Sequence, residues 1–130
     1  MPTCVFCEVA KDSPNQLFND GLCYVVFDIH PAAEEHLLII SNEHYENMLA
    51  TPDDIMEHMF LITKKFYKIV WEELHPTGGT VVTNRGPGHV DHFHIHIIPR
   101  YKAEKQVTLP RMAFNDAKKR ELTERLKSKI

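Results

Sequence analysis

The chain has 130 residues, of which 43% are hydrophobic, 25% charged and 9% aromatic, the balance of one globular domain with a single core. A formal net charge of −3 and a pI near 6.3 supply no basic surface for holding a nucleic acid polymer, although a few local donors can still bind one nucleotide. No stretch approaches the roughly 18 apolar residues of a membrane span, so no membrane partner is expected.

Taken in chain order, "MPTCVFCEVAKDSP" lacks the basic start and apolar run of a signal peptide. With three cysteines and no N-x-[ST] acceptor, the chain reads as a cytoplasmic protein in a reducing compartment. "LCYVVFDI" (Leu22 to Ile29) follows the turn signal "NDG" and is rich in β-branched and aromatic residues, which predicts a strand. "HLLIIS" (His36 to Ser41) is a short apolar run and predicts a second. One long helix follows: Thr51 is expected as its cap, Pro52 suits its first position, and Asp53 and Asp54 suit its positive end. Ile55, Met59, Ile62, Phe66, Ile69 and Val70 recur along it at helical spacing as a stripe to cover a sheet. "TGGTVVTNRGPG" predicts a turn, a strand over Thr80 to Thr83 and a Gly/Pro loop; a strand from Phe93 to Ile98 is expected to stop at Pro99. A short helix over Asp116 to Lys129 carries Leu122, Leu126 and Ile130 on one side. The fold class is α+β: an antiparallel sheet, one major covering helix and a short C-terminal helix.

The chain contains nine histidines, and three of them alternate in "DHFHIHIIPR". On a strand, His92, His94 and His96 share one face while Phe93, Ile95 and Ile97 take the other. A solvated strand face normally uses Thr, Lys or Glu, so the row points to chemistry. Imidazole is the commonest metal ligand, but His92 and His96 are about 13 Å apart on an extended chain, too far for one ion to bind all three. The other chemistry is covalent: a neutral imidazole nitrogen attacks phosphorus, and its second nitrogen donates to an acceptor that fixes the tautomer. Cys4 and Cys7 form a C-x-x-C, which is half of a four-ligand zinc site or simply a pair of buried thiols; its N-terminal position does not suit a thioredoxin-like role. Cys23 reads as core, and His58 and His75 as surface.

"HFHIHII" fits the H-φ-H-φ-H-φ-φ signature, φ being apolar, of the histidine triad (HIT) superfamily of nucleotide hydrolases and transferases, which the chain resembles. "CVFCEVA", "VVFDIHP", "EEHLLII", "NEHYENM" and "VVTNRG" follow in family order, so the likeness covers about residues 4–101 of a single HIT-like domain, with 102–130 as a C-terminal extension. The resemblance implies a homodimer that cleaves a purine nucleoside 5′-phosphate from an amine or a second nucleotide. By position, His94 would be the nucleophile, His96 would bond the phosphate, and His36 would orient the others. Asp28 would grip the ribose hydroxyls, Asn84 would contact phosphate, and Phe6 and Ile29 would wall the base pocket. Relatives with this C-x-x-C imply a structural zinc held by Cys4, Cys7, His44 and His92, with no organic cofactor.

The chain departs from its relatives at two points. They usually carry a small residue before the fourth histidine, where this chain has Glu35. Many also have a longer Gly-rich loop ending in Gln-Ser or Gln-Thr, where this chain has only "NRGPGHVDH", so either His89 replaces the missing donor or the leaving group is handled differently, with Arg85 a candidate for a polyphosphate tail. Two other functions stay open at this stage. One is a zinc-dependent hydrolase with its ion on the histidine row; the other is a nucleotide-sensing module with little turnover.

Overall fold

The computed structural model describes residues 4–33, 35–86, 88–101, 111–113 and 115–130. Five strands form one antiparallel sheet in the order β1-β2-β3-β5-β4. They are β1 Phe18–Asn19, β2 Cys23–Phe27, β3 Leu37–Ser41, β4 Gly78–Val82 and β5 His94–Arg100. Three helices accompany them: α1 Val5–Val9, α2 Asp53–Leu74 and α3 Asp116–Lys127. The α+β class and the two expected helices are as read from sequence; α1, β1 and two 3-10 turns are additional. The part of the C-terminal extension spanning 102–110 lies outside the described residues.

Register sorts the side chains. Residues directly opposite in an antiparallel pair share a face. Val25 pairs with Ile39, which pairs with Ile95, and these side chains meet Met59, Phe66 and Val70 of α2 in the main core. One residue along, Val26, Leu38, His96 and Val82 line a row on the other face, with Tyr24, Ile40 and His94 beside it. That face is covered in part by Phe6, Val9 and Ala10 of the α1 segment. Burying each large apolar side chain contributes about 1.5–3 kcal/mol. A slip of one residue in β5 would therefore both unpack the core and turn the histidines into it.

Three local expectations need correction. Thr51 does not cap α2: it is buried, its hydroxyl donates 2.9 Å back to the Asn47 carbonyl, and the helix starts after Pro52 without a side-chain cap. Pro99 does not end β5, because β3 pairs only as far as Ile97; beyond it β5 faces β4 alone, and a proline is tolerated on a strand with one open side. Ile69 leaves the apolar stripe, 42% exposed, and Thr63 takes a buried place instead by donating 2.8 Å to the Met59 carbonyl. Among the described residues no helix is long and apolar enough to cross a membrane.

Candidate active site

The histidine row does not begin on the strand. His92 lies in the bend before β5, and only His94 and His96 belong to the ladder, opposite Ile40 and Leu38 of β3. Even so all three are withdrawn from water: His92 is 0% exposed, His94 is 5% exposed, and the His96 side chain is 14% exposed.

Each ring is oriented by a neighbour whose chemistry fixes the proton. The Nδ1–H of His94 donates to the backbone carbonyl of His92 at 2.6 Å, which leaves the lone pair on Nε2. The Ala32 amide donates to His36 Nδ1 at 3.0 Å, so neutral His36 keeps its proton on Nε2, 2.9 Å from His96 Nδ1. His96 Nδ1 accepts that proton's bond, and its own N–H therefore sits on Nε2 and faces outward. The Asn84 amide nitrogen lies 3.5 Å from His96 Nε2. Two N–H groups cannot satisfy each other, so both are free to converge on an anionic oxygen between them.

Electrostatics keeps these rings neutral. Burial, first of all, pulls His94 below the ordinary histidine range, against its bond to the His92 carbonyl and the Asp28 charge. Burial also lowers His36, partly opposed by Asp28. His96 is held to about 4, by burial first and then by His94 and His36. At neutral pH the site thus presents an uncharged nucleophilic nitrogen beside an uncharged donor, the states that attack on phosphorus requires.

Asp28, just past β2, holds its carboxylate 3.5 Å from His36 Nε2 and 4.0 Å from His96 Nδ1, and it accepts the His30 amide at 2.9 Å. Phe6 on α1 meets His94 edge-on with ring centroids 4.9 Å apart. Ile29 is 84% exposed beside Asp28. His89 is exposed on the short loop, where its amide closes a turn on the Gly86 carbonyl, and it lies near enough to lower both His94 and His96.

A second cluster adjoins the first. Cys4, Cys7, His44 and His92 bring one donor atom each within 4.8 Å of one another. The Nε2–H of His92 donates to the Ser41 carbonyl at 2.7 Å, turning the bare Nδ1 toward the thiols. From that Nδ1 it is 3.3 Å to Cys4 Sγ, 3.5 Å to Cys7 Sγ and 3.2 Å to His44 Nδ1, and Cys7 Sγ is 3.4 Å from His44 Nδ1. Tetrahedral zinc with bonds of about 2.3 Å to sulfur and about 2.0 Å to nitrogen would set S···N near about 3.5 Å and N···N near about 3.3 Å. The donor set fits that ion. Burial, then Cys4 beside it, raises the Cys7 thiol, partly opposed by the Lys11 ammonium.

Sequence reasoning missed the groups that act through the backbone. Ser41 and Ala32 supply a carbonyl and an amide that any residue could supply, so no side-chain signal marks them. Tyr24 was legible only as strand, yet its hydroxyl donates 2.6 Å to the Phe6 carbonyl and ties α1 to the sheet. His75 takes the left-handed C-cap of α2, and His58 bonds Asp20 across the β1–β2 turn.

The HIT domain matches this chain over residues 11–103. The chain belongs to the HIT family. Among its relatives, adenosine 5′-monophosphoramidase HNT1 of Candida albicans is 34% identical over 107 residues, 75% of this chain and 70% of that one. Protein hit of Bacillus subtilis is 31% identical over 103 residues, covering 75% and 71%. The crystal structure of the histidine triad nucleotide-binding protein from Candida albicans superposes with a TM-score of 0.82 at 30% identity, covering 98% of this chain and 96% of that one. The family match spans β1 to β5, and with them His36, His94 and His96.

Proposed function

We propose that this HIT protein hydrolyses a purine nucleoside 5′-phosphoryl compound, a phosphoramidate or a dinucleoside polyphosphate, through a nucleotidyl-His94 intermediate. The observation that carries the reading is the tautomer of His94. With Nδ1–H bonded to the His92 carbonyl and the ring kept neutral by burial, the Nε2 lone pair is available to attack. In the first step a bond forms from Nε2 to phosphorus, and the bond to the leaving group breaks. The leaving group departs with the electron pair and takes a proton from solvent. The resulting imidazolium keeps its Nδ1–H on the His92 carbonyl, which offsets the new positive charge. Water then attacks phosphorus, the P–N bond breaks, the pair returns to Nε2, and the water proton goes to solvent. His96 Nε2–H and Asn84 are suited to steady the phosphoryl oxygens, with His36 holding His96 in its donor tautomer. Asp28 is the acceptor for the ribose hydroxyls, and Phe6 and Ile29 are the apolar surfaces for the base. His89 is the loop donor nearest the leaving-group side. The name of the Candida albicans phosphoramidase relative supports this class of substrate.

Cys4, Cys7, His44 and His92 are the ligands we propose for a structural zinc, which would fix the bend that presents the His92 carbonyl to His94. A homodimer is the assembly we propose. The edge strand β4, with Val81 and nearby Trp71 each 44% exposed, supports a second copy pairing there.

A catalytic ion on Asp28, His36 and His96 is the competing reading, since these donors also lie within 4.8 Å of one another. The 2.9 Å hydrogen bond between His36 and His96 counts against it, because a proton occupies the space between the two nitrogens that would bind the ion. The test mixes the protein with adenosine 5′-phosphoramidate, quenches in mild base and measures intact mass. An adenylyl adduct in the wild type and none in His94→Asn is the expected result. No adduct and no turnover across a nucleotide panel would remove the hydrolase reading, and tight AMP binding without turnover would favour a sensor.

A further inference from the structure

Among the described residues, Glu35 and His75 are the non-glycine residues in the left-handed region, at φ 59° and 51°. His75 ends α2, where a left-handed residue is an ordinary helix stop. Glu35 has no helix to end. It stands immediately before His36, in a conformation that costs any residue with a Cβ and that clusters at functional sites.

One hydrogen bond reaches across to it. The Tyr101 hydroxyl donates to Glu35 Oε2 at 2.9 Å. Tyr101 directly follows β5, the strand that carries His94 and His96, so the bond ties the turn two residues before β3 to the residue after β5. The geometry on either side is tight. The His36 amide donates to the Ala33 carbonyl at 3.3 Å, its carbonyl accepts the Asp28 amide at 2.8 Å, and its ring is held between Ala32 and His96. The backbone torsion at Glu35 sets the direction from which the His36 side chain leaves the chain. A rotation there would swing the ring off His96 Nδ1.

We propose that the Glu35–Tyr101 hydrogen bond is a positioning device: it holds Glu35 left-handed and so aims His36 Nε2 at His96. The inference rests on the reading of His96 as the phosphate-side donor. In this role Glu35 and Tyr101 act through His36.

The decisive experiment is a double-substitution cycle read by kinetics and by NMR. Tyr101→Phe removes one hydroxyl and should lower kcat on adenosine 5′-phosphoramidate by up to about tenfold, the fold-change of losing a hydrogen bond to a carboxylate, with little change in KM. Glu35→Gly, alone or combined with Tyr101→Phe, should stay within about twofold of the wild-type kcat, because glycine adopts positive φ without being held, while Glu35→Ala should lose as much as Tyr101→Phe. The imidazole N–H resonance of the His36–His96 hydrogen bond reports the geometry without turnover. It should weaken or disappear in Tyr101→Phe and survive in the double variant. A wild-type kcat in Tyr101→Phe overturns the proposal, as does a loss in Glu35→Gly as large as that in Glu35→Ala, which would show that the carboxylate does not act by holding the backbone torsion. A wild type with no turnover and no adduct would instead remove the nucleotide reading, and the imidazole resonance would still decide the Glu35–Tyr101 linkage.

Discussion

His92 and His94 are two residues apart, both buried, and both bonded to a backbone carbonyl, but through opposite nitrogens. His92 gives its Nε2–H to Ser41 and turns Nδ1 toward two thiols and His44; His94 gives its Nδ1–H to His92 and keeps Nε2 bare on the sheet face. The carbonyl each ring meets decides which lone pair is left over, and the surroundings of that lone pair decide what it can bind. Beside sulfur donors at tetrahedral spacing it suits a metal; beside a neutral donor and a carboxylate it suits phosphorus. On the proposed reading two identical side chains carry two different jobs, and the His92 carbonyl joins them.

The largest test of that division compares His94→Asn with Cys4→Ser. His94→Asn should lower kcat on the order of 10⁴-fold or more while leaving metal content at the wild-type level by elemental analysis. Loss of metal from His94→Asn would break the division, because it would make the middle histidine a ligand. Cys4→Ser should do the reverse: it strips the metal and costs about 3 kcal/mol, a fall in Tm on the order of 10 °C. A metal-free wild type with an unchanged Tm in Cys4→Ser would end the zinc proposal.

The strands, both longer helices and the alternation of the row were legible in the sequence because periodicity reports which side of an element is apolar. Ile95 and Ile97 did enter the core opposite His94 and His96. The tautomers were not legible, since they depend on the carbonyl of Ser41 and the amide of Ala32, groups every residue possesses. Helix α1 was not legible either: it has five residues and no side-chain cap, too short for pattern or propensity to register, and what fastens it is tertiary. Tyr24, Gln16 and the cysteine cluster hold it down. Pro99 misled because a proline reads as a strand end unless the open side of the ladder is already known.

Acid should expose the reaction end next. His96 titrates at about 4 when folded, against about 6.5 in an unfolded chain. Between those values the unfolded chain takes up a proton that the folded one refuses, so stability is flat above about pH 6.5 and falls as pH drops toward about 4. His36, His92 and His94 shift in the same direction for the same first cause, burial. The His96 contribution alone amounts to up to about 3 kcal/mol. Activity follows the same sign: kcat/KM should hold as pH falls through about 6.5 and decline only below it, when His94 Nε2 becomes protonated. Urea midpoints at pH 7 and 5, with a pH–rate profile, check both. Equal stability at the two values, or an acid limb centred at or above about 6.5, would mean that the rings are not held neutral.

His58 supplies the smallest and sharpest contrast, a histidine assigned to neither end. It sits on α2 and meets the Asp20 carboxylate, with the two side chains 32% and 25% exposed. Its partner is a charge near solvent rather than a buried carbonyl. The pair pins the β1–β2 turn to the helix. Asp20 also accepts the amides of Leu22 and Cys23 at 3.0 Å each, so the turn keeps its own bonds when the imidazole goes. His58→Ala should therefore cost no more than about 1 kcal/mol, the scale of a partly exposed ion pair, with kcat and metal content unchanged. Chemical denaturation and turnover measured side by side test it. A large loss of activity would show that burial and a carbonyl partner are not what separates a working histidine from an ordinary one in this chain.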